Sequence, residues 1–427
     1  MIDVKENAIS YFSHYHLQTL EGTLTILKGV TTDFLPIWKS NSESPTLDLA
    51  VSSVALAVYS RTQQHPYAAV EASKQYQELL RLQRAAIPSL DQNSIDDCLI
   101  AIFFMGRFED VVHSPGYPNE QAHSARTLHS FSHHDGALAI LKYWRAHMYH
   151  TRPATDIIKY TRRGMIRSAT LRVLGLPEWM WDGECFGEHD SELAYDAIVV
   201  QIVNLRHQVS VLHKDKMSER MTSHELISKA GDLHDKARGL NAALQDWAGA
   251  QLGNLDHKRY ILSSHHIFPT KYFYSSEVYI YSNPVHASAW ILYYATRLLI
   301  NSTLLKILSI IGPHSNSATF DRRFEYLSVM EATAMDLVLS IPCALQRFSA
   351  TDMFDTPSQQ NSIIINENED IKPYVANLII WALSLSANLS GVDVRYKCWL
   401  RSLLAHLGRI TGIALLESSE TNSWPEL

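Results

Sequence analysis

The sequence predicts an all-α protein built as one large helical domain spanning 1–427. Nearly every apolar segment repeats at spacings of three and four residues, and no set of alternating apolar and polar runs suggests a sheet. The 427 residues are 46% hydrophobic and 19% charged, a globular composition with enough length for a large core. No long internal period indicates a repeat protein.

The clearest element is a helix from Asn283 to Ile311, around which we expect the other helices to pack. Asn283 is a suitable N-cap, and Pro284 fits the first helical position. Arg297 and Asn301 interrupt its apolar face. A buried amide must be hydrogen-bonded and a buried cation must be paired. These two side chains therefore either bond to a neighbouring helix and fix its register, which is the more usual case, or line a pocket.

The remaining helices follow from the same periodicity and from residues that begin or end helices. In chain order they cover 4–20, 46–59, 66–86, 94–113, a segment starting at 136, 153–175, two helices between 193 and 251, 323–346, 373–388 and 392–416. Ser94 is the expected N-cap of its helix, and Asp96 and Asp97 in the first turn suit the helix dipole.

Four segments do not read as helices. Residues 178–192 are expected to form a loop, and 254–282 is the most irregular part of the interior. The polar and acidic segment 349–370 predicts a disordered or lid-like loop, and 418–427 predicts a flexible tail.

Charge, cysteine content and motifs exclude several classes of protein. The net charge of −7 gives no basic face, so we expect no direct contact with nucleic acid. The four cysteines are far apart and match no zinc or disulfide framework, which favours a cytoplasmic protein. No signal peptide is visible and the most apolar run, 375–389, is too short to span a bilayer, so no membrane association is expected. Nucleotide-binding and hydrolase motifs are missing.

A set of segments in order resembles a known family. The segments LDLAVSSVALAVYS, DDCLIAIFFMGRFED, HHDGALAIL, VYIYSNPVHASAWILYYATRLLINS and WLRSLLAHLGRITGIALLE resemble the fungal-specific transcription factor domain, or middle homology region. The resemblance covers most of the chain and implies an all-helical fold with a central cavity. Such regulators usually carry an N-terminal zinc cluster with six cysteines, whereas no cysteine precedes Cys98 here.

This departure leaves three alternatives. The protein regulates without touching DNA, the helical domain serves another purpose, or the gene model lacks an upstream exon that encodes the zinc cluster. For the second alternative, the chain is similar to the humulene synthases of fungal tropolone-sesquiterpenoid pathways, which also lack the aspartate-rich DDxxD motif. That resemblance implies Mg²⁺-dependent ionisation of farnesyl diphosphate with an essential lysine, for which Lys271 in HIFPTKYFYSSE is the candidate.

Ionising a prenyl diphosphate needs Mg²⁺ on oxygen ligands and a cation that stabilises the leaving group. The carbocation then needs a dry aromatic pocket. Lys271 and Arg297 are the candidate catalytic cations, expected to face one cavity, and Glu277 is the candidate metal ligand. The candidate substrate-binding residues are Ile267, Tyr274, Trp290, Tyr294 and Asn301. Aromatic residues at helical spacing are, however, more often simply core.

The sequence therefore leaves two alternative functions. The first is a cytoplasmic Mg²⁺-dependent sesquiterpene cyclase that makes a humulene-type hydrocarbon from a prenyl diphosphate. The alternative is a zinc-finger-less, nuclear regulatory protein that acts through partners or a small-molecule ligand. A homodimer is left open in both cases.

Overall fold

The computed structural model describes residues 3–32, 34–40, 44–91, 94–113, 129–218, 221–255, 257–262, 267–312, 317–350, 363–366 and 369–421. Within these ranges the chain forms 14 α-helices, five short 3-10 helices and two two-stranded antiparallel sheets. The predicted all-α class with a single domain is confirmed. The strands have three to five residues each, so the two sheets are short connections between helices.

The element bounds are as follows. The helices are α1 (Val4–Tyr15), α2 (Phe34–Ser40), α3 (Pro45–Thr62), α4 (Pro66–Ala86), α5 (Ile95–Val112), α6 (His129–His147), α7 (Asp156–Arg172), α8 (Asp190–Met217), α9 (Ser223–Gln251), α10 (Pro284–Ile311), α11 (Ser317–Ala344), α12 (Pro373–Ser386), α13 (Val394–Thr411) and α14 (Ala414–Glu417). The strands are β1 (His257–Ile261), β2 (Glu277–Tyr281), β3 (Phe348–Ala350) and β4 (Ile363–Ile365).

The predicted central helix is α10. The side-chain oxygen of Asn283 accepts a hydrogen bond from the N–H of Val285 at 2.8 Å, and Pro284 occupies the first turn. α10 packs against α8, α9, α11 and α12, and residues on all its sides are buried. By length and composition α10 and most of α11 could cross a membrane, but 72% and 61% of their most apolar segments are buried, as in core helices.

The segment 254–282 is more regular than the sequence indicates. β1 and β2 pair antiparallel, with His257 opposite Tyr281 and Ile261 opposite Glu277. The hairpin was missed because each strand is only five residues long and its partner lies beyond a long loop.

Two predicted loops also differ from expectation at the ends that the structure describes. Residues 348–350 and 363–365, on either side of the predicted lid, pair as β3 and β4. The stretch 351–362 lies outside the described residues, so the lid stays a prediction. At the start of the predicted tail, Ser418 and Ser419 are buried in a 3-10 helix. The rest of the tail, 422–427, lies outside the described residues.

The start of α5 differs from its prediction in one detail. Ser94 stands at the N-cap position, but its hydroxyl bonds to Asp91 and it caps no helical N–H. Asp96 accepts hydrogen bonds from Arg152 at 2.8 Å and Thr155 at 2.9 Å, so it ties α5 to the start of α7. The first-turn carboxylate therefore links two elements as well as facing the helix dipole.

Candidate functional site

The loop 267–276, which carries the predicted Lys271, lies against α13. The indole N–H of Trp399 donates to the carbonyl oxygen of Thr270 at 2.9 Å. Tyr274 packs on Tyr396, with ring centroids 4.8 Å apart, and meets Trp399 edge-on. A helix of the C-terminal region thus fixes the loop that follows β1.

Tyr272 is the centre of this contact. The exposed Lys271 places its Nζ 5.1 Å from the centroid of the Tyr272 ring, and the guanidinium carbon of Arg347 lies 5.2 Å from the same centroid. The Tyr272 hydroxyl is 2.9 Å from Nε2 of His406, which α13 supplies. One tyrosine therefore joins side chains from three distant parts of the chain.

The charges around Tyr272 are predominantly positive. Burial, together with the charges of Lys271, Arg409 and Arg347, lowers the pKa of His406 to about 4. His406 is therefore neutral at pH 7, while the other three side chains are cations. We call Lys271, Arg347, His406 and Arg409 the cationic cluster.

Arg347 is the fixed member of the cationic cluster. Its buried guanidinium donates to the carbonyl oxygens of Leu345 at 2.9 Å and Glu369 at 2.6 Å, so it ties the end of α11 to the segment after β4. Burial lowers the pKa of Arg347, and the charges of Glu369 and Asp370 oppose that shift. Lys271 and Arg409 are exposed and can reorient towards a ligand.

Arg297 and Asn301 lie on α10 with different neighbours. Asn301 is buried and its amide donates to the carbonyl oxygen of Arg297 at 2.8 Å, so its own helix satisfies it and not a neighbouring one. Arg297 bonds to Tyr293, and its buried Nε has no hydrogen-bond partner among the described residues. Lys271 and Arg297 thus contact different side chains, and the cavity that they were expected to share stays a prediction.

The predicted aromatic residues Trp290 and Tyr294 pack against the β1–β2 hairpin. The Trp290 N–H donates to the carbonyl oxygen of Leu255 at 3.2 Å. The hydroxyls of Tyr294 and Tyr281 bond to each other, and the Tyr281 hydroxyl lies 2.8 Å from the Ser340 hydroxyl on α11. Burial raises the pKa of Tyr294. Since these polar atoms are satisfied within the protein, the group has the features of packed core.

Ile267 has the most exposed side chain of the candidate substrate-binding residues, at 92%. It precedes the cationic cluster in the chain by four residues, and the residues just before it, 263–266, lie outside the described structure. Its expected place in the wall of a substrate pocket therefore stays a prediction.

Glu277 does not fit a magnesium ligand. It opens β2, and its Oε2 accepts from Nε of Arg259 on β1 at 3.1 Å and from a second guanidinium N–H. The guanidinium neutralises the carboxylate and would repel a second cation. In the part of the chain that the structure describes, no three His, Cys, Asp or Glu side chains stand close enough to hold a metal.

Sequence reasoning missed Arg347, His406 and Arg409. His406 and Arg409 are three residues apart on the amphipathic α13, which places them on one side of that helix. This spacing was the available signal, but nothing in the sequence connects them with Lys271. Comparison of the chain with protein-family models, with curated proteins and with solved structures finds no match. The family assignment therefore stays a proposal.

Proposed function

We propose that the protein is an Mg²⁺-dependent sesquiterpene cyclase that ionises farnesyl diphosphate to a humulene-type hydrocarbon. The observation that carries the proposal is the position of Lys271 in the cationic cluster. A diphosphate leaving group carries several negative charges, and their growth as the carbon–oxygen bond breaks is stabilised by preorganised cations. Arg347 lies against the same tyrosine ring, and the charges of Arg347 and Arg409 act on His406.

The members of the cationic cluster suit different parts of this task. Arg347 is held by backbone carbonyls and supplies a fixed positive charge. Lys271 and Arg409 are exposed and would close on the diphosphate oxygens. His406 is neutral at pH 7 and keeps Tyr272 oriented through its hydroxyl. The lysine, as a compact charge on a flexible stem, can follow the leaving group.

The Mg²⁺ part of the proposal rests on the resemblance to the humulene synthases. Magnesium in phosphate-transfer sites is usually held by one or two carboxylates, water and the substrate's phosphates, so a three-residue protein site is not required. Glu369 and Asp370 are exposed and their charges act on Arg347, which makes them better candidates than the paired Glu277.

The proposal is tested by incubating the purified protein with farnesyl diphosphate and Mg²⁺ and extracting volatile hydrocarbons. We expect a cyclic sesquiterpene and release of inorganic diphosphate, both abolished by EDTA and restored by added Mg²⁺. Release of farnesol with no cyclic product, or no turnover at all, would reject the cyclase.

A second candidate function is the regulatory protein, and one observation favours it. On α11, Phe320 and Phe324 are 74% and 71% exposed, and Leu327 extends this apolar face by one turn. Such a face is typical of protein contacts. Under this alternative the protein turns over no farnesyl diphosphate. Transcript levels that are altered in cells lacking the protein should return to normal when the wild-type chain is supplied. They should stay altered when a Phe320→Ser/Phe324→Ser variant is supplied.

A further inference from the structure

A small cleft lies among α7, α8, α10 and α12, apart from the residues of the cationic cluster. Ile166 and Arg167 on α7, Val199 on α8 and Leu292 on α10 are among the side chains that line it. The cleft has room for about one water molecule, which excludes an organic ligand and leaves space for a monatomic ion of similar size. The charge of the wall therefore decides what the cleft can bind.

Arg163 supplies one positive charge to this wall, and carboxylates neutralise it. Its guanidinium donates to Asp196 and to Glu192, each at 2.9 Å. Both acids are buried, so water does not compete for these hydrogen bonds. A buried cation with such partners needs no further anion.

Arg167, one turn further along α7, is the second positive charge and has no such partner. Among the described residues its one hydrogen bond runs from Nη2 to the carbonyl oxygen of Ile26 at 3.3 Å, and no carboxylate pairs with it. The acid whose charge acts on Arg167 is Asp196, which is already bonded to Arg163. Burial, together with the charge of Arg163, lowers the pKa of Arg167 to about 10, so the group stays a cation at pH 7.

The ion pairs beside Arg167 do not supply the missing negative charge. In the part of the chain that the structure describes, four cations on α7 meet three buried carboxylates. The cations are Lys159, Arg162, Arg163 and Arg167, and the carboxylates are Glu188, Glu192 and Asp196. Asp156 adds a fourth carboxylate next to Lys159, but its side chain is 67% exposed, so water screens most of its charge. The group therefore has an excess positive charge, which lies on Arg167.

We propose that the cleft binds a single chloride ion, held by the guanidinium of Arg167. The anion accepts N–H groups that Arg167 does not use within the protein, and it supplies the negative charge that the buried group lacks. The apolar side chains of Ile166, Val199 and Leu292 complete the wall and offer no ligand to a metal cation. None of these residues enters the cyclase proposal, so the two proposals stand or fall separately.

Urea titrations at fixed ionic strength, with sodium gluconate replaced stepwise by sodium chloride, test the proposal on the full chain. If the folded chain binds one chloride and the unfolded chain binds none, the ratio of folded to unfolded protein rises in proportion to the chloride concentration once this exceeds Kd. A crystal soaked in bromide should also show an anomalous peak within hydrogen-bonding distance of the Arg167 guanidinium. Equal stability in chloride and gluconate, or no bromide peak beside Arg167, would overturn the proposal and leave water as the occupant of the cleft.

Variants locate the ion. Arg167→Gln removes the charge, and Val199→Ile keeps the charge but fills the cleft with one more carbon atom. Both should lose the chloride dependence, whereas the wild type gains about tenfold in the folded-to-unfolded ratio for each tenfold of chloride above Kd. Arg172→Gln is the matched control and should keep that dependence, because Arg172 lies on the same helix and pairs with Asp135 at the surface.

Val199→Ile decides the matter if Arg167→Gln does not fold. A chloride dependence that persists in either variant, or that Arg172→Gln loses as well, would contradict the proposal.

Discussion

At the scale of single residues, Tyr272 explains how a loop lysine can belong to an organised site. Its ring contacts Lys271 and Arg347, and its hydroxyl bonds to His406. A lone surface lysine binds phosphate weakly, since water screens its charge. Two further cations and a fixed aromatic ring give the same lysine a local field that favours an anion.

The first prediction at the residue scale concerns removal of the Lys271 charge. We expect Lys271→Ala to lower the rate of diphosphate release from farnesyl diphosphate by about a hundredfold or more, because one preorganised charge-stabilising group is typically worth that much. The side chain is exposed, so the melting temperature should change little.

Lys236→Ala on the solvent side of α9 is the matched control, since it removes an exposed lysine from another helix. Steady-state kinetics on both variants make the comparison. Equal turnover in Lys271→Ala and Lys236→Ala would show that Lys271 has no catalytic role.

Buried histidines predict how stability depends on pH. Burial lowers the pKa of His16 to about 3 and that of His134 to about 4. The pKa of His406 is lowered to about 4 as well, mainly by burial. These folded-state values lie below the ordinary value near 6.5, so the unfolded chain binds more protons between about pH 6.5 and 4. The free energy of unfolding should therefore fall as the pH is lowered through that range, by up to ~1.4 kcal/mol per pH unit for His16 and for His134, and by less for the half-exposed His406, whose charge water screens.

His16→Phe tests this account. His16 is buried and stacks on Phe12, with ring centroids 4.9 Å apart, so a phenyl ring preserves the contact. Denaturant titrations between pH 7 and about 5 should give a shallower slope of unfolding free energy against pH for His16→Phe than for the wild type. His224→Gln, an exposed position on α9, is the control. An unchanged slope in His16→Phe would assign the pH dependence to other groups.

At the scale of elements, the loop 267–276 depends on α13 for its position. The Trp399 N–H on α13 donates a hydrogen bond to the Thr270 carbonyl oxygen in the loop. The ring of Tyr274 packs on aromatic side chains of the same helix. The site is therefore assembled only when the C-terminal helices are docked. This explains why the loop's own sequence does not reveal its partners.

Trp399→Phe should separate the position of the loop from the stability of the fold. It removes the N–H while keeping most of the ring, so we expect a loss of about 1 kcal/mol in unfolding free energy. Hydrogen exchange measured by mass spectrometry should become faster in 270–276 and stay unchanged in α10. Uniform acceleration across the chain would instead mean that Trp399 acts only through global stability.

Elements with local signals were predictable, and those with long-range partners were not. The Asn283 cap, Pro284 and an apolar face define α10 within one stretch of sequence. The β1–β2 hairpin and the grouping of Arg347 with Lys271 depend on residues far apart in the chain. Tertiary packing decides such contacts, and periodicity carries no information about them.

At the scale of the whole molecule, the helices share one core organised on α10. Buried hydrophobic residues from Ala8 near the N-terminus to Leu416 near the C-terminus belong to a single cluster. We therefore expect one cooperative unfolding transition, with coincident curves from far-ultraviolet circular dichroism and tryptophan fluorescence. Two separated transitions would show that the chain contains independently folding units.

The central claim is that the cationic cluster binds a prenyl diphosphate, and binding of farnesyl thiodiphosphate, an unreactive analogue, tests it most directly. Titration calorimetry with Mg²⁺ should show that the wild-type chain binds this analogue, and that Lys271→Ala and Arg409→Ala each bind it at least about tenfold more weakly. Wild-type affinity in both variants, or no binding by the wild type, would contradict the claim.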